Sequence, residues 1–393
     1  MAGPLSGYRI IDLTRMIAGP MATMILGDQG ADVIKVEAPQ GGDLTRAFAG
    51  PRHRMAPMFA IANRNKRSVV LNLHHPRAAA LMARLAATAD VLVHNFRPGV
   101  ADKLGVGEEA MRRAKPDLIY VSISGFGERG PYAHKRSYDP VIQALSGLAW
   151  IQGVINRPRM IRLIVADKVT ALTAAQAITA ALLERARSGM GQHVRLSMLD
   201  AVISFLWAEA MAHYTFFGER HETHPPPARI RDLVFATADG FITAGANSDA
   251  EWRGLAEALE HPEWVADPRF RTPAARERNA EVRLELMAGV LRTRSSAQWL
   301  ERLQARGVPC APILNRWEML HHPQVVENAI VLETDHPHAG RIRQPRAAAR
   351  FDRSSSELPR AAPLLGEHTR EVLREIGVSD NEIDDLYSAR VVA

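Results

Sequence analysis

The 393-residue chain is 47% hydrophobic and 23% charged, a globular composition with apolar material for more than one core, which excludes disordered and fibrous classes. Its 49 basic and 43 acidic residues leave a net charge of +6; this suits an anionic ligand, but no run of five or more basic residues marks a nucleic-acid partner. Cys310 is the only cysteine, so an intrachain disulfide and a zinc site built on Cys pairs are excluded. With no signal-peptide pattern over Met1–Leu13 and no long uncharged apolar stretch, the expectation is a cytoplasmic protein without a membrane partner.

The first 125 residues alternate short β-branched runs with helical patterns. Strands are expected at Arg9–Leu13, Asp32–Val36, Ser68–Leu73, Asp90–His94 and Asp117–Ser122, with helices at Met21–Gly27 and Pro76–Ala87. That rhythm points to a parallel sheet covered by helices. An Ala-rich helix follows over Ala166–Arg187, closed by Gly189 as its cap, then an apolar helix over Leu199–Phe217. Gly218 leads into His221-Glu-Thr-His-Pro-Pro-Pro227, read as a linker. Beyond it, Leu233–Thr237 and Phe241–Ala244 flank an Asp-Gly turn and read as a hairpin. Helices are expected at Ala250–Glu260, Asn279–Leu291 and Ser296–Arg306. The expected domains are a large one over 1–217, a linker over 218–227, a small α+β domain over 228–320, and a return to the large domain over 321–393. In that return, the tail from Arg341 is Ser/Pro-rich before helices near Glu367–Gly377 and Glu382–Leu386.

Several strand ends carry residues suited to a ligand. Thr14-Arg-Met-Ile-Ala-Gly-Pro20 lacks the Gly-x-Gly-x-x-Gly fingerprint of nicotinamide enzymes, and is either an ordinary turn or a loop that Gly19 lets approach a ligand closely. Asn63-Arg-Asn-Lys-Arg67 reads as an exposed charged turn. Asn95-Phe-Arg-Pro-Gly99 and Ser124-Gly-Phe-Gly127 lie where open α/β sheets bind ligands. Asp167 opens the Ala-rich helix, either as its N-cap or as a carboxylate kept ionised, and so nucleophilic, by the helix N-terminus. His221 and His224 precede three prolines and do not form a helical metal site. His321-His322 reads as a polar loop and Cys310 as a packed thiol.

In order and spacing, a set of segments resembles the family III CoA-transferases, the group that includes formyl-CoA:oxalate and carnitine CoA-transferases and the α-methylacyl-CoA racemases. They are Ile11-Asp-Leu-Thr14 through Ala18-Gly-Pro20, Gly30 to Glu37, Gly42-Asp43, Asn63 to Ser68, Asn95 to Gly99, Gly125-Phe-Gly127, Tyr138-Asp139 with Gln143-Ala144, Ala166-Asp167, Gly189 to Val194, Val308-Pro309 and Pro363 to His368.

The resemblance implies an α/β protein with a Rossmann-like large domain, an inserted smaller α+β domain and an interlocked homodimer. It implies transfer of CoA from an acyl-CoA to a carboxylic acid acceptor through a mixed anhydride and an aspartyl-CoA thioester on Asp167, with amides at the helix N-terminus stabilising the oxyanion. No cofactor is tightly bound; coenzyme A enters as the acyl-CoA co-substrate. By position, Arg15, Met16, Ala18, Asn95, Phe96, Lys103 and Arg136 match CoA contacts, and Leu71 or Leu73 an adenine contact. All six lysines lie in the first 168 residues, within the segment implied to bind the CoA phosphates. On the acid side the implied residues are Ile17, where formyl-CoA transferases carry glutamine, Tyr138, and Arg229 or Arg231, which could pair with a dicarboxylate. Tyr138 stands where the racemases carry a histidine base, which disfavours racemisation; that alternative would need another base, such as Asp232. A CoA-binding protein without catalysis, with Asp167 merely a cap, is the other alternative.

Overall fold

The structure is a computed structural model and describes residues 3–48, 50, 55–153, 157–217, 232–354 and 360–393. The chain divides into two compact units, Met1–His221 with Ala329–Ala393, and Glu222–Asn328. No helix among the described residues is long and apolar enough to cross a membrane.

The first unit opens with β1 (Arg9–Asp12), α1 (Ala18–Asp28), β2 (Asp32–Glu37), α2 (Pro57–Ala62), β3 (Lys66–Val70), α3 (Ala78–Ala87) and β4 (Val91–His94). It continues through α4 (Val100–Lys103), α5 (Glu108–Ala114), β5 (Ile119–Ser124), α6 (Asp139–Leu145), α7 (Leu148–Ile151), α8 (Val165–Ser188), β6 (His193–Ser197) and α9 (Met198–Trp207). The six strands form one parallel sheet in the order β3-β2-β1-β4-β5-β6. Strand order reverses between β1 and β4, so a crevice opens there at the carboxyl ends of the strands. Ile10, Ile11, Val91, Leu92 and Val93 are fully buried, as strands covered on both faces require. On one face Ile10, Val33, Val93 and Val121 pack with Leu26 of α1 and with Ala171, Ala174, Ala175 and Ile178 of α8. The small side chains of α8 let α1 lie close to it. β6 was not expected, because His193-Val-Arg-Leu-Ser197 is a half-exposed edge strand with no apolar run. The expected helix over Leu199–Phe217 ends at Trp207, with only a short 3-10 turn at Ala212–Tyr214 beyond.

The second unit holds β7 (Phe235–Ala236), β8 (Phe241–Ala244), α10 (Asp249–Ala258), α11 (Pro273–Arg278), α12 (Ala280–Leu291), α13 (Ser296–Ala305), β9 (Cys310–Pro312), α14 (Arg316–His321) and α15 (Pro323–Glu327). Trp252, Phe270, Leu291, Trp299 and Leu303 form its core. The expected hairpin is present, the Thr237 amide donating to the Gly240 carbonyl at 2.9 Å across its turn, and Asp239 accepts a hydrogen bond from the Ser296 amide at 2.7 Å. His321-His322 is no loop: His321 ends α14 and His322 caps α15, accepting from the Gln324 amide.

The chain returns through an antiparallel hairpin, β10 (Val331–His336) and β11 (Gly340–Pro345), for which no strand was expected, and ends in α16 (Thr369–Glu375) and α17 (Asp380–Ser388). Val372, Leu373, Ile383 and Leu386 complete the core on the second face of the sheet with Leu71, Leu81, Leu85 and Leu92. The Thr369 hydroxyl accepts from the Val70 amide, and Leu71 bridges to Val392.

The cluster Arg64 to Arg67 is not an exposed turn; every residue in it is at most 6% exposed. Arg64 pairs with Asp28 at 2.6 Å, Lys66 with Asp12 at 2.9 Å, and Arg67 with Asp32, Glu371 and Glu375. Burial of these cations is tolerable because each meets a carboxylate, and the partners come from α1, β1, β2 and α16.

Candidate active site

The loop after β1 is held from below by a buried ionic layer. Asp12 and Lys66 are fully buried, and Lys66 also donates to the carbonyl of Pro20 and to Asn63 Oδ1. Lys35, equally buried, pairs with Asp43 at 3.0 Å and donates to the Thr14 carbonyl at 2.8 Å. Asp12 accepts from the Thr14 amide and from the Thr14 and Thr23 hydroxyls. Burial pushes the Asp12 carboxyl up, but Lys66 and Lys35 with these hydrogen bonds bring it well below its ordinary value. Lys66 is lowered to about 8, chiefly by burial. Lys35 and Lys66 are therefore spent inside the protein, which takes these two out of the lysine-bearing segment implied to meet the CoA phosphates.

The same loop contains Met16 in the left-handed region at φ 70°, a conformation that costs a non-glycine residue about 1 kcal/mol or more. Its amide donates to Asp43 Oδ1 at 3.2 Å. Gly19 has no such dihedral; a Cβ there would lie 2.3 Å from Thr14 Cβ, so the close approach that glycine permits is to Thr14. Across the switch point, Asn95 of the β4 loop accepts from the Arg15 amide at 2.9 Å and donates to the Arg15 carbonyl at 2.8 Å. This pair of bonds ties the two crevice loops together. Phe96 stacks on His94, and burial, reinforced by His193, lowers His94 to about 4 and keeps it neutral.

Asp167 lies in the first turn of α8, but it is not the cap. The N-cap residue is Ile164, and Asp139 of α6 does the capping, its Oδ2 accepting from the amides of Ala166 at 2.6 Å and Asp167 at 3.2 Å. Gln143 holds Asp139 in turn, its Nε2 donating to Asp139 Oδ1 and its Oε1 accepting from the Ile161 amide. Two expectations change. The amides of Ala166 and Asp167 are already taken and do not serve an oxyanion. Burial and the neighbouring Asp139 charge, against a hydrogen bond from the Ala18 amide, raise Asp167 to about 6 rather than lowering it as the helix N-terminus alone would. A carboxylate so placed is more basic than a free one and still mostly ionised at neutral pH, a condition that suits a nucleophile.

Of the other expected residues, Arg15, Lys103 and Arg136 are exposed, and Met16, Asn95 and Phe96 are partly so. Ile17 and Ala18 are buried at the start of α1. Tyr138 is 58% exposed at the N-cap position of α6. Leu71 is 2% exposed within the core, which removes its side chain as an adenine contact and leaves Leu73 as the more accessible of the two. Arg229, Arg231, His221, His224 and the linker lie outside the described residues, and Asp232 belongs to the second unit. Asp139, Gln143 and Asp43 entered the sequence reading only as markers of the resemblance, with no role in the site. The signal for Asp139 was Asp-Pro after Tyr138, the start of a short helix.

A family model described as CoA-transferase family III matches residues 5–369. The succinyl-CoA:glutarate CoA-transferase of Mus musculus is 35% identical over 99% of this chain and 90% of its own length. The succinyl-CoA–D-citramalate CoA-transferase of Chloroflexus aurantiacus is 32% identical over 99% of this chain and 98% of its own. Among solved structures, a CAIB/BAIF family protein from Brucella suis superposes with a TM-score of 0.81 at 31% identity, covering 96% of this chain and 100% of that one. With its parallel sheet, its zipped crevice loops and a match over nearly its whole length, the chain belongs to CoA-transferase family III.

Proposed function

We propose that the enzyme moves CoA by covalent catalysis on Asp167. The carboxylate attacks the acyl-CoA carbonyl, the C–S bond breaks, and a mixed anhydride forms as CoA thiolate leaves. The thiolate then attacks the aspartyl carbonyl, which releases the donor acid and leaves an aspartyl-CoA thioester. An acceptor carboxylate repeats both steps in reverse and departs as the new acyl-CoA. The observation that carries this reading is the raised, partly buried Asp167 carboxyl beside Asp139, with the Ala18 amide directed at it. With the α8 amides engaged, the Ala18 amide is the donor available to a developing oxyanion.

Arg15, Lys103 and Arg136 are exposed cations suited to the CoA phosphates, and Asn95 fixes the loop that carries Arg15. A dicarboxylic acceptor is favoured, because the relatives above are named for glutarate and D-citramalate. Val141, Leu145, Trp150, Leu172, Phe205 and Trp207 stand 43–61% exposed on α6 to α9; large apolar side chains exposed together on neighbouring helices mark interaction surfaces, which supports a homodimer.

The test is to incubate the protein with succinyl-CoA, quench with hydroxylamine and map the adduct by mass spectrometry. A hydroxamate on Asp167, absent in Asp167→Asn together with CoA exchange, is the expected result. Exchange of the α-proton with solvent deuterium and no adduct would instead support racemisation.

A further inference from the structure

At the edge of the sheet remote from β3, three side chains from different elements form a chain the CoA-transfer reading does not use. Ser122 Oγ of β5 lies 2.8 Å from His193 Nε2 of β6, and His193 Nδ1 lies 2.6 Å from Glu108 Oε2 at the start of α5. Burial raises the Glu108 carboxyl, but the hydrogen bonds from His193 and Arg112, with the Arg195 charge, bring it below its ordinary value, so it is an ionised acceptor. An acceptor-only carboxylate fixes the proton of His193 on Nδ1 and leaves Nε2 to accept from the Ser122 hydroxyl. The other contact of that hydroxyl, to Glu128 Oε1, is longer at 3.4 Å. Tyr120 packs edge-on against the imidazole with ring centroids 5.0 Å apart and restrains its plane.

This order of nucleophile, base and orienting carboxylate is the geometric signature of an activated serine, and it is recognised by geometry and not by sequence position. Ser122 is not sealed away. It lines an open hollow of about 680 Å³ at the carboxyl ends of β5 and β6, together with Arg129, Arg195, the carboxylates Glu128 and Asp200, and Ser197. Arg195 is committed to Glu108 and Glu128, whereas Arg129 makes no ion pair among the described residues and lines the hollow.

We propose that Ser122, His193 and Glu108 form a second acyl-transfer site, separate from Asp167, that hydrolyses small esters or thioesters of acids carrying a negative charge. Ser122 Oγ bonds to the substrate carbonyl carbon while its proton passes to His193 Nε2. The tetrahedral oxyanion collapses, the carbon–oxygen or carbon–sulfur bond to the leaving group breaks, and that group takes the proton from His193. Water, deprotonated by the same nitrogen, then attacks the acyl-serine, releasing the acid and restoring the hydroxyl. Arg129 supplies the positive charge that holds the anionic end of the substrate in the hollow.

The test uses the full-length wild-type protein with diisopropyl fluorophosphate, peptide mapping by mass spectrometry, and release of nitrophenolate from p-nitrophenyl hydrogen succinate. The expected result is one phosphoryl adduct, on the peptide containing Ser122, formed in step with loss of hydrolysis. Ser122→Ala abolishes both, and His193→Gln slows both by about a hundredfold, as expected for loss of a general base. No adduct on wild type, or an adduct confined to another residue, overturns the proposal without reliance on any variant folding. Hydrolysis that persists in Ser122→Ala, or that vanishes in Asp167→Asn, overturns it as well, the latter by assigning the reaction to Asp167.

Discussion

Replacing Asp167 by Asn removes the proposed nucleophile and, by the same environment that perturbs it, stabilises the protein. The folded Asp167 carboxyl titrates at about 6 against an ordinary 3.8. Between those values the native state binds more protons than the unfolded chain, so stability falls as pH rises through the window, and the full penalty is present above it. A shift of about 2 units at about 1.36 kcal/mol each sets a ceiling of roughly 3 kcal/mol, and partial solvent access reduces it to about 1–2 kcal/mol. Asn carries no charge to desolvate and keeps an acceptor for the Ala18 amide. For a chain of this length, an unfolding entropy of about 2.1 cal/mol/K per residue converts that to a gain of roughly 1–3 °C in melting temperature. Differential scanning fluorimetry of wild type and Asp167→Asn should show this gap at about pH 7.5, its narrowing as pH falls from about 6 towards 3.8, and its closure by about pH 3, where Asp167 is protonated in both states. A gap of opposite sign, or one unchanged across that range, would refute the reasoning. Under the proposed role of Asp167, the kcat of CoA exchange should fall as pH drops below about 6.

Two further outcomes follow from the crevice loops. Gly19→Ala puts a methyl 2.3 Å from Thr14 Cβ, so the loop must move; overpacking of this kind costs about 1–3 kcal/mol, and CoA exchange should fall at least tenfold, measurable in a coupled assay on folded protein. Lys66→Met leaves Asp12 buried without its ion-pair partner, a loss worth about 3–5 kcal/mol; urea denaturation should show it, and Lys66→Met with Asp12→Leu should recover part of it.

The sheet was legible from β-branched runs because parallel strands buried on both faces are written as continuous apolar sequence. The Ala-rich helix was legible for a similar reason, since its composition states that something packs close. What escaped depends on partners distant in sequence. Asn63 to Arg67 looks like any exposed charged turn until Asp28, Asp32, Glu371 and Glu375 are brought to it. Asp167 looked like a cap because the true cap, Asp139, lies 28 positions earlier. Its pKa was misjudged for the same reason, because the dipole of a helix is local information, whereas burial and a second carboxylate are not. Ser122, His193 and Glu108 are separated by up to 85 positions, and no spacing rule joins them.

The union of β3 with the end of the chain has a consequence for biosynthesis. The Val70 amide finds the Thr369 hydroxyl across 299 positions, so a ribosome adding about 5–20 residues per second leaves that strand edge uncovered for tens of seconds after β3 emerges. An unpaired edge is a template for pairing with another chain. During that interval the edge is open while Arg67 beside it still lacks Glu371 and Glu375, and that incompletely neutralised charge repels the same segment of a neighbouring nascent chain.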